Sequence, residues 1–325
     1  MHTPNHLTSP TMAIVGGVVA IALIAVAIRN AGKQKATKEK LPLMGALGAF
    51  VFACQMFNFP IADLGCSGHL VGGVLLAALL GPWLGFLTLA GVLTLQSLLF
   101  ADGGLLSLGW NIVNMAAIGA LVVYPLLFRP IARGSGSSPV RFFMASIVSS
   151  TVAIALGAMA VVAESALSNI SALPVATFFA NMVPIHLLIG VCEGAITGII
   201  VAIVAKREPT TLELYYTPTK PLRANFGGVY STFAICALLI GGALSLVASE
   251  SPDGMNWAIE RTLDGSAIAP SALHNNVELF QSSIAIAPDY QGDYTGLIAT
   301  AAILLFGWVA TTPSGKKVRP KSKTS

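Results

Sequence analysis

Blocks of apolar residues long enough to cross a membrane alternate with short polar segments along most of this chain. A hydrocarbon core about 30 Å thick is spanned by roughly 20 helical residues. The pattern predicts spans at Met12–Ile28, Leu43–Phe59, Leu108–Phe128, Phe143–Val162, Met182–Ala205, Val229–Val247 and Thr295–Val309. The stretch Leu70–Phe100 is too long for one helix and is interrupted by Gly81-Pro82-Trp83, so it reads as a tight two-helix hairpin. The expected fold is all-α, a polytopic membrane helix bundle of about nine transmembrane helices.

Charge orients this bundle. Basic residues follow the first span (Arg29, Lys33, Lys35, Lys38, Lys40) and recur at Arg129, Arg133, Arg141, at Lys206-Arg207, at Lys220 and Arg223, and from Lys316 to Lys323. Lys and Arg mark cytoplasmic loops. The hairpin reading puts all these clusters on one side, with the single Arg261 opposite, which predicts an N-terminus outside and a C-terminus in the cytoplasm. The leading MHTPNHLTSP has no Lys or Arg, unlike the start of a secretory signal, so the first span is expected to be an uncleaved anchor. Three parts are expected: a seven-helix unit over 1–207, a cytoplasmic linker over 208–225, and a helical pair over 226–325 enclosing an outer segment from Ser249 to about Asp293.

Composition agrees, with 55% hydrophobic and 10% charged residues and a mean hydropathy of +0.78. It excludes an ordinary soluble globule. The net charge of +4 is distributed over loops, so no nucleic-acid partner is expected. The four cysteines, Cys54, Cys66, Cys192 and Cys236, have no paired spacing. Three lie in apolar runs and read as small core residues; Cys66, in Cys-Ser-Gly-His, reads either so or as an extra soft ligand.

The topology brings Met1-His2 and Ser67-Gly68-His69 to the same outer face. An α-amine, the deprotonated backbone nitrogen of residue 2 and the imidazole of residue 2 can chelate one ion through fused rings. His69 is available for the fourth in-plane position. A tetragonal nitrogen site favours Ni(II) or Cu(II) over Zn(II), which prefers a tetrahedron. The bland alternative is a His on a disordered tail and an unrelated polar residue entering a span. Gln55, Asn58, Gln96, Asn111 and Asn114, with Asp102, sit near the outer ends of spans. The amides read either as groups supporting the imidazoles and holding loop 62–68 or as helix-to-helix hydrogen bonds. His186 and Glu193 share a helix face, as a buried polar pair or as groups used in metal release. Small residues at Gly16 and Ala20, and at Gly45, Ala49 and Ala53, form close-packing stripes.

Met1-His2, Phe52–Gly73 (FACQMFNFPIADLGCSGHLVGG), Gly81-Pro82-Trp83, Gln96–Gly104, Gly109–Met115 and Ile185–Gly194 together resemble the CbiM/NikM family. These are substrate-binding membrane subunits of energy-coupling factor transporters for cobalt and nickel. The resemblance runs from residue 1 to about 207. It implies as ligands the Met1 amine, the His2 backbone nitrogen and imidazole, and the His69 imidazole. It also implies a coupling membrane subunit and cytoplasmic ATPase subunits as partners, in a bacterial or archaeal cell membrane. The chain departs from the family at Thr3, Asn5 and His6, where Met-His-Ile-Pro-Asp-Gly is usual, and at Cys66. Ser251-Pro-Asp-Gly-Met-Asn-Trp resembles the Pro-Asp-Gly-Leu-Glu motif of the small NikN-type component often fused to the nickel-binding subunit. Read as residues alone, that segment is an outer loop with turns at Pro252-Asp253-Gly254 and Pro288-Asp289.

No G-x-x-x-x-G-K-[ST] occurs, so any ATPase must be another chain. The chain reads as a transport subunit rather than an enzyme, with no cofactor and a transported Ni(II) or Co(II) ion as cargo. The rival reading is an ion-coupled secondary carrier relaying protons through His186, Glu193 and Glu164.

Overall fold

The computed structural model describes residues 1–33, 37–61, 63–133, 138–170, 172–215, 226–290 and 295–311. Lys35, Lys220, Arg223 and the basic residues from Lys316 onward, on which part of the expected sidedness rests, lie outside the described residues.

Eleven helices and one small hairpin carry the described chain. Helix α1 (Pro10–Gly32) begins at Ser9, whose hydroxyl accepts from Met12 N–H, with Pro10 in the first turn. Helix α2 (Thr37–Met56) leads into strand β1 (Phe59–Pro60), which pairs antiparallel with β2 (Ser67–Gly68). Helices α3 (Gly73–Leu80) and α4 (Pro82–Phe100) are separated by Gly81 at φ +92°, a conformation suited to glycine, with Pro82 opening α4. Helix α5 (Leu108–Ala132) is one rod wound as π-helix over Ile112–Phe128. Helices α6 (Pro139–Leu167) and α7 (Val175–Arg207) form the longest antiparallel pair. Then come α8 (Phe226–Gly242), α9 (Gly254–Leu263), α10 (Ala272–Ile284) and α11 (Thr295–Thr311).

Helix α3 is the hub. All eight of its residues are buried, and it contacts α2, α4, α5, α6 and α7. Eight residues rise only about 12 Å, well short of the hydrocarbon core. Six segments among the described residues are long and apolar enough to cross a membrane: α1, α4, α5, α6, α7 and Gly228–Val247. Lys40–Met56 and Thr295–Leu305 are shorter apolar helices. The nine crossings expected from the apolar pattern exceed these six by α2, α11 and the first arm of the hairpin. The hairpin is present as two helices, but its first arm becomes helical only at Gly73. The preceding Leu70–Gly72 is non-helical, because side chains from two other helices take up its backbone groups, as described below. Outward apolar residues on α1, such as Ile14 and Ile21 at 68% and 69% exposure, suit a lipid-facing wall.

The small-residue stripes face neighbouring helices of the same chain. A Cβ at Gly45 would stand 2.9 Å from Gly307 Cα on α11, and one at Gly16 would stand 2.6 Å from the Trp110 ring. Helices α6 and α7 meet along Gly190, Gly194 and Gly198, where an added Cβ would come within 2.5 to 2.7 Å of Thr151, Ile147 and Phe143. At the pole away from the N-terminus, Lys40 Nζ donates to the Leu79 and Leu80 carbonyls at the end of α3 (3.1 and 3.4 Å). Glu213 pairs there with Arg129 and accepts from Tyr124 OH.

Candidate metal site

The first nine residues form a strap across one pole of the bundle, held by hydrogen bonds from several elements. Thr3 N–H donates to Asn111 Oδ1 (2.9 Å), while Thr3 O accepts from Gly104 N–H (2.9 Å) and Asn111 Nδ2 (3.3 Å). Asn5 Oδ1 accepts from Leu106 N–H, and Asn5 Nδ2 donates to Gln281 Oε1 on α10. Ser107 Oγ donates to Pro4 O, and His274 Nε2 lies 3.1 Å from Thr8 O. Met1 is 5% exposed, and its side chain fills the notch left by Gly157, where a Cβ would come within 2.5 Å of Met1 Cε. Such a strap is ordered, which removes the bland reading of a free tail.

The strap delivers the α-amine to His69. Met1 N is 3.3 Å from His69 Nε2 and 3.0 Å from Asp253 Oδ2. The His2 and His69 rings stack with centroids 5.4 Å apart and planes 22° apart. His69 Nδ1 faces Leu70 O at 3.4 Å. That contact puts the ring proton on Nδ1 and turns the Nε2 lone pair to the amine, where an ion would be held. His2 Nδ1 lies 3.4 Å from Asp102 Oδ1, and its Nε2 lies 3.3 Å from Gln96 Oε1. Closing the chelate through His2 Nδ1 thus requires turning this ring away from Asp102. Asp102 is itself fixed by Tyr290 OH at 2.8 Å.

Both rings are shielded from protonation. Burial lowers His2, against the pull of Asp102. Burial, followed by the Met1 α-ammonium and His2, holds His69 well below the usual imidazole range. Burial would raise the Asp253 carboxyl, but the α-ammonium, the Asn256 N–H and His69 outweigh it and hold the group well below its ordinary value.

The path from His69 into α3 is held from two sides. Glu193 on α7 accepts Val71 N–H (2.6 Å) and Gly72 N–H (3.1 Å), and Gln55 Nε2 on α2 donates to Val71 O (2.9 Å). Gly72 has φ +86°, and a Cβ there would lie 2.9 Å from Val51. Glycine is required at that bend.

The expected supporting amides divide by role. Gln96 touches His2, Asn111 clamps Thr3 and Gln55 holds Val71, whereas Asn114 donates to Glu164 from across the helix pair (3.0 and 3.1 Å). Asn58 contributes a backbone carbonyl, which accepts from Ser249 N–H. The loop expected to be held by these amides is held, over its described residues 63–68, by other groups: Ile61 N–H donates to Cys66 O (2.9 Å), Ser67 N–H to Pro252 O (2.8 Å) and Trp257 Nε1 to Leu64 O (3.1 Å). The Cys66 side chain lies in the apolar core, and burial pushes its thiol up. His186 and Glu193 are both buried, but each has its own partner, Met182 O at 2.7 Å for His186 and the 71–72 backbone for Glu193. His6 lies in the strap beside Glu278 and His274.

Asp253 escaped the sequence reading. Its signal was the Pro-Asp-Gly turn, which marks a helix start and says nothing of what lies opposite. Asp253 Oδ1 does cap α9, accepting from Asn256 N–H at 2.8 Å; its second oxygen takes the Met1 amine.

A multi-pass helical membrane protein that draws its own amine terminus into the bundle beside a buried histidine is the class this fold and site define. Residues 2–211 match the family described as the CbiM cobalt uptake substrate-specific transmembrane region, and residues 227–312 match the PDGLE domain; the chain belongs to the CbiM family. It is 34% identical over 244 residues to a putative fused nickel transport protein NikMN of Archaeoglobus fulgidus, covering 74% of this chain and 79% of that one. It is 29% identical over 251 residues to the fused nickel transport protein NikMN of Rhodobacter capsulatus, covering 73% and 72%. A crystal structure of a truncated transition metal transporter superimposes with a TM-score of 0.53 at 30% identity, covering 63% of this chain and 99% of that one.

Proposed function

We propose that this protein captures nickel or cobalt and serves as the substrate-binding subunit for its import by an energy-coupling factor transporter. Four nitrogens hold the ion in this reading: the Met1 amine, the deprotonated His2 backbone nitrogen, the His2 imidazole and His69 Nε2. The observation that carries it is the 3.3 Å approach of the Met1 amine to His69 Nε2. A lone pair and an amine at hydrogen-bond distance are two donors that one ion can replace the proton between. The relatives named for nickel transport support the cargo. The lack of a phosphate-binding loop supports ATPase subunits on separate chains, joined through a coupling membrane subunit. Residues 1–207 form the metal-binding unit in this reading, 208–225 the linker and 226–325 the second unit. The protein sits in a bacterial or archaeal cell membrane, with its amine terminus outside.

The rival carrier reading needs carboxyls free to relay protons. Glu193 and Glu164 instead have their oxygens engaged by Val71, Gly72 and Asn114, which favours a structural use for both.

The amine terminus distinguishes this site from any ordinary histidine pair. Adding one residue before Met1, or replacing His2 or His69 by Ala, is expected to weaken Ni(II) binding by more than about 100-fold in titration calorimetry on the purified protein. His186→Ala is expected to keep binding within about threefold. Native affinity in the extended protein would discard the chelate. Import into proteoliposomes that stops when the ATPase subunits are omitted checks the transport reading.

A further inference from the structure

The second unit reaches into the site. Between α8 and α9, residues 249–253 lie along the loop that carries His69: Asn58 O accepts Ser249 N–H (2.8 Å), Ser67 N–H donates to Pro252 O (2.8 Å), and Ser67 Oγ donates to Ser251 O (2.8 Å). Trp257 Nε1 donates to Leu64 O at 3.1 Å. This backbone bridge sets Asp253 so that one carboxyl oxygen caps its own helix and the other meets the Met1 amine at 3.0 Å. The two groups are 252 residues apart in sequence, and the side chains are 3% and 16% exposed. An ion pair so shielded is strong enough to matter, and removing one partner leaves the other uncompensated.

We propose that Asp253 is the positioning residue and fixed counter-charge of the metal site, so that the second unit completes a site whose donors all lie in the first. The inference rests on the four-nitrogen reading given above. Charge shows why one carboxylate suits both states. The empty site holds one positive charge, on the α-ammonium. The loaded site holds two on the ion and minus one on the His2 backbone nitrogen, again a net of one. Asp253 opposes the same charge in both, and its hold on the amine keeps that donor aimed at His69 before the ion arrives.

Asparagine caps a helix as well as aspartate does, so D253N removes the charge while keeping α9 capped; D253S keeps the cap but is too short to reach the amine. In the full-length purified protein, both are expected to stay folded, with an unfolding temperature below that of the native metal-free protein because the α-ammonium loses its partner. Both are expected to bind Ni(II) about 10–100-fold more weakly, as for loss of a group that supports a ligand. The visible absorption of bound Ni(II) should keep its native position in both, because the four nitrogens are unchanged. Native affinity in either variant overturns the proposal, and so does a displaced absorption band, which would make Asp253 a ligand itself. His69→Ala in the same experiment separates the two levels. If it too binds natively, the four-nitrogen reading fails; if it loses binding while D253N does not, only the role of Asp253 fails.

Discussion

At the residue scale, the proton is the chief competitor of the metal. His2 and His69 are held below the ordinary imidazole value near about 6.5, first by burial. Their lone pairs are therefore already free at neutral pH, and a lowered pKa means that protonation of the rings begins only in more acid solution. The remaining protons to be displaced are those of the α-ammonium and the His2 backbone N–H. Apparent Ni(II) affinity is accordingly expected to rise with pH from about 6 to 8, without levelling off above 6.5 as it would if the rings were the main competitors. Calorimetry in buffers of different ionisation enthalpy reads the protons released; affinity that falls across this range counts against the site. Met1 and His2 could be singled out in the sequence because their chemistry is local, an amine, a backbone nitrogen and an imidazole in adjacent residues, whereas His69 was singled out by the expected topology and the family resemblance. Asp102 and Asp253 were not legible as partners, since each acts on a group brought to it by folding.

At the element scale, the informative segment is the non-helical lead into α3. Apolar pattern treats Leu70–Gly72 as the start of a helix. Glu193 and Gln55 instead accept and donate at its backbone, and Gly72 supplies the left-handed bend. Their effect is to hold His69 at a fixed height above the hub helix. Glu193→Ala leaves two buried N–H groups unpaired, at a cost of about 1–3 kcal/mol, and loosens the loop that carries a ligand. The expected result is a Ni(II) Kd raised by about 10–100-fold, together with a lower unfolding temperature in detergent. Destabilisation with an unaltered Kd would show that Glu193 holds the helix without positioning His69. His186, seven residues earlier on the same face, was expected to share a role with Glu193; its bond to Met182 O closes within its own helix.

At the scale of the whole molecule, the first and second units interlock at one pole. Gln281 on α10 donates to Ser97 O and Gly103 O and accepts from Asn5, so a helix of the second unit clasps both the strap and the loop beside it. The pole bearing Arg129, Lys40 and Glu213 lies at the other end of the bundle. Basic residues at that end predict that it faces the cytoplasm. With Cys54, Cys66, Cys192 and Cys236 replaced, single cysteines at Lys33 and Ser282, both exposed, are expected to react with an impermeant maleimide from opposite sides of the membrane. Labelling of both from outside would reject the N-out topology and the hairpin at Gly81 with it.

Local composition alone determined that this chain carries membrane-spanning apolar helices, where most of them lie, and that Met1-His2 offers adjacent chelating donors. Lipid imposes a helix of fixed length on any apolar run, and Pro, Gly and Ser punctuate such runs by covalent geometry and local hydrogen bonding. Close-packing stripes were visible too, although only packing determined that Gly45 meets Gly307. Tertiary structure decided the rest: that α3 is a short buried hub, that the tail is an ordered strap, and that a carboxylate of the second unit lies 3.0 Å from the first atom of the chain. Those outcomes depend on backbone groups left unpaired by one element and satisfied by another far away in sequence, and no window along the chain contains both partners.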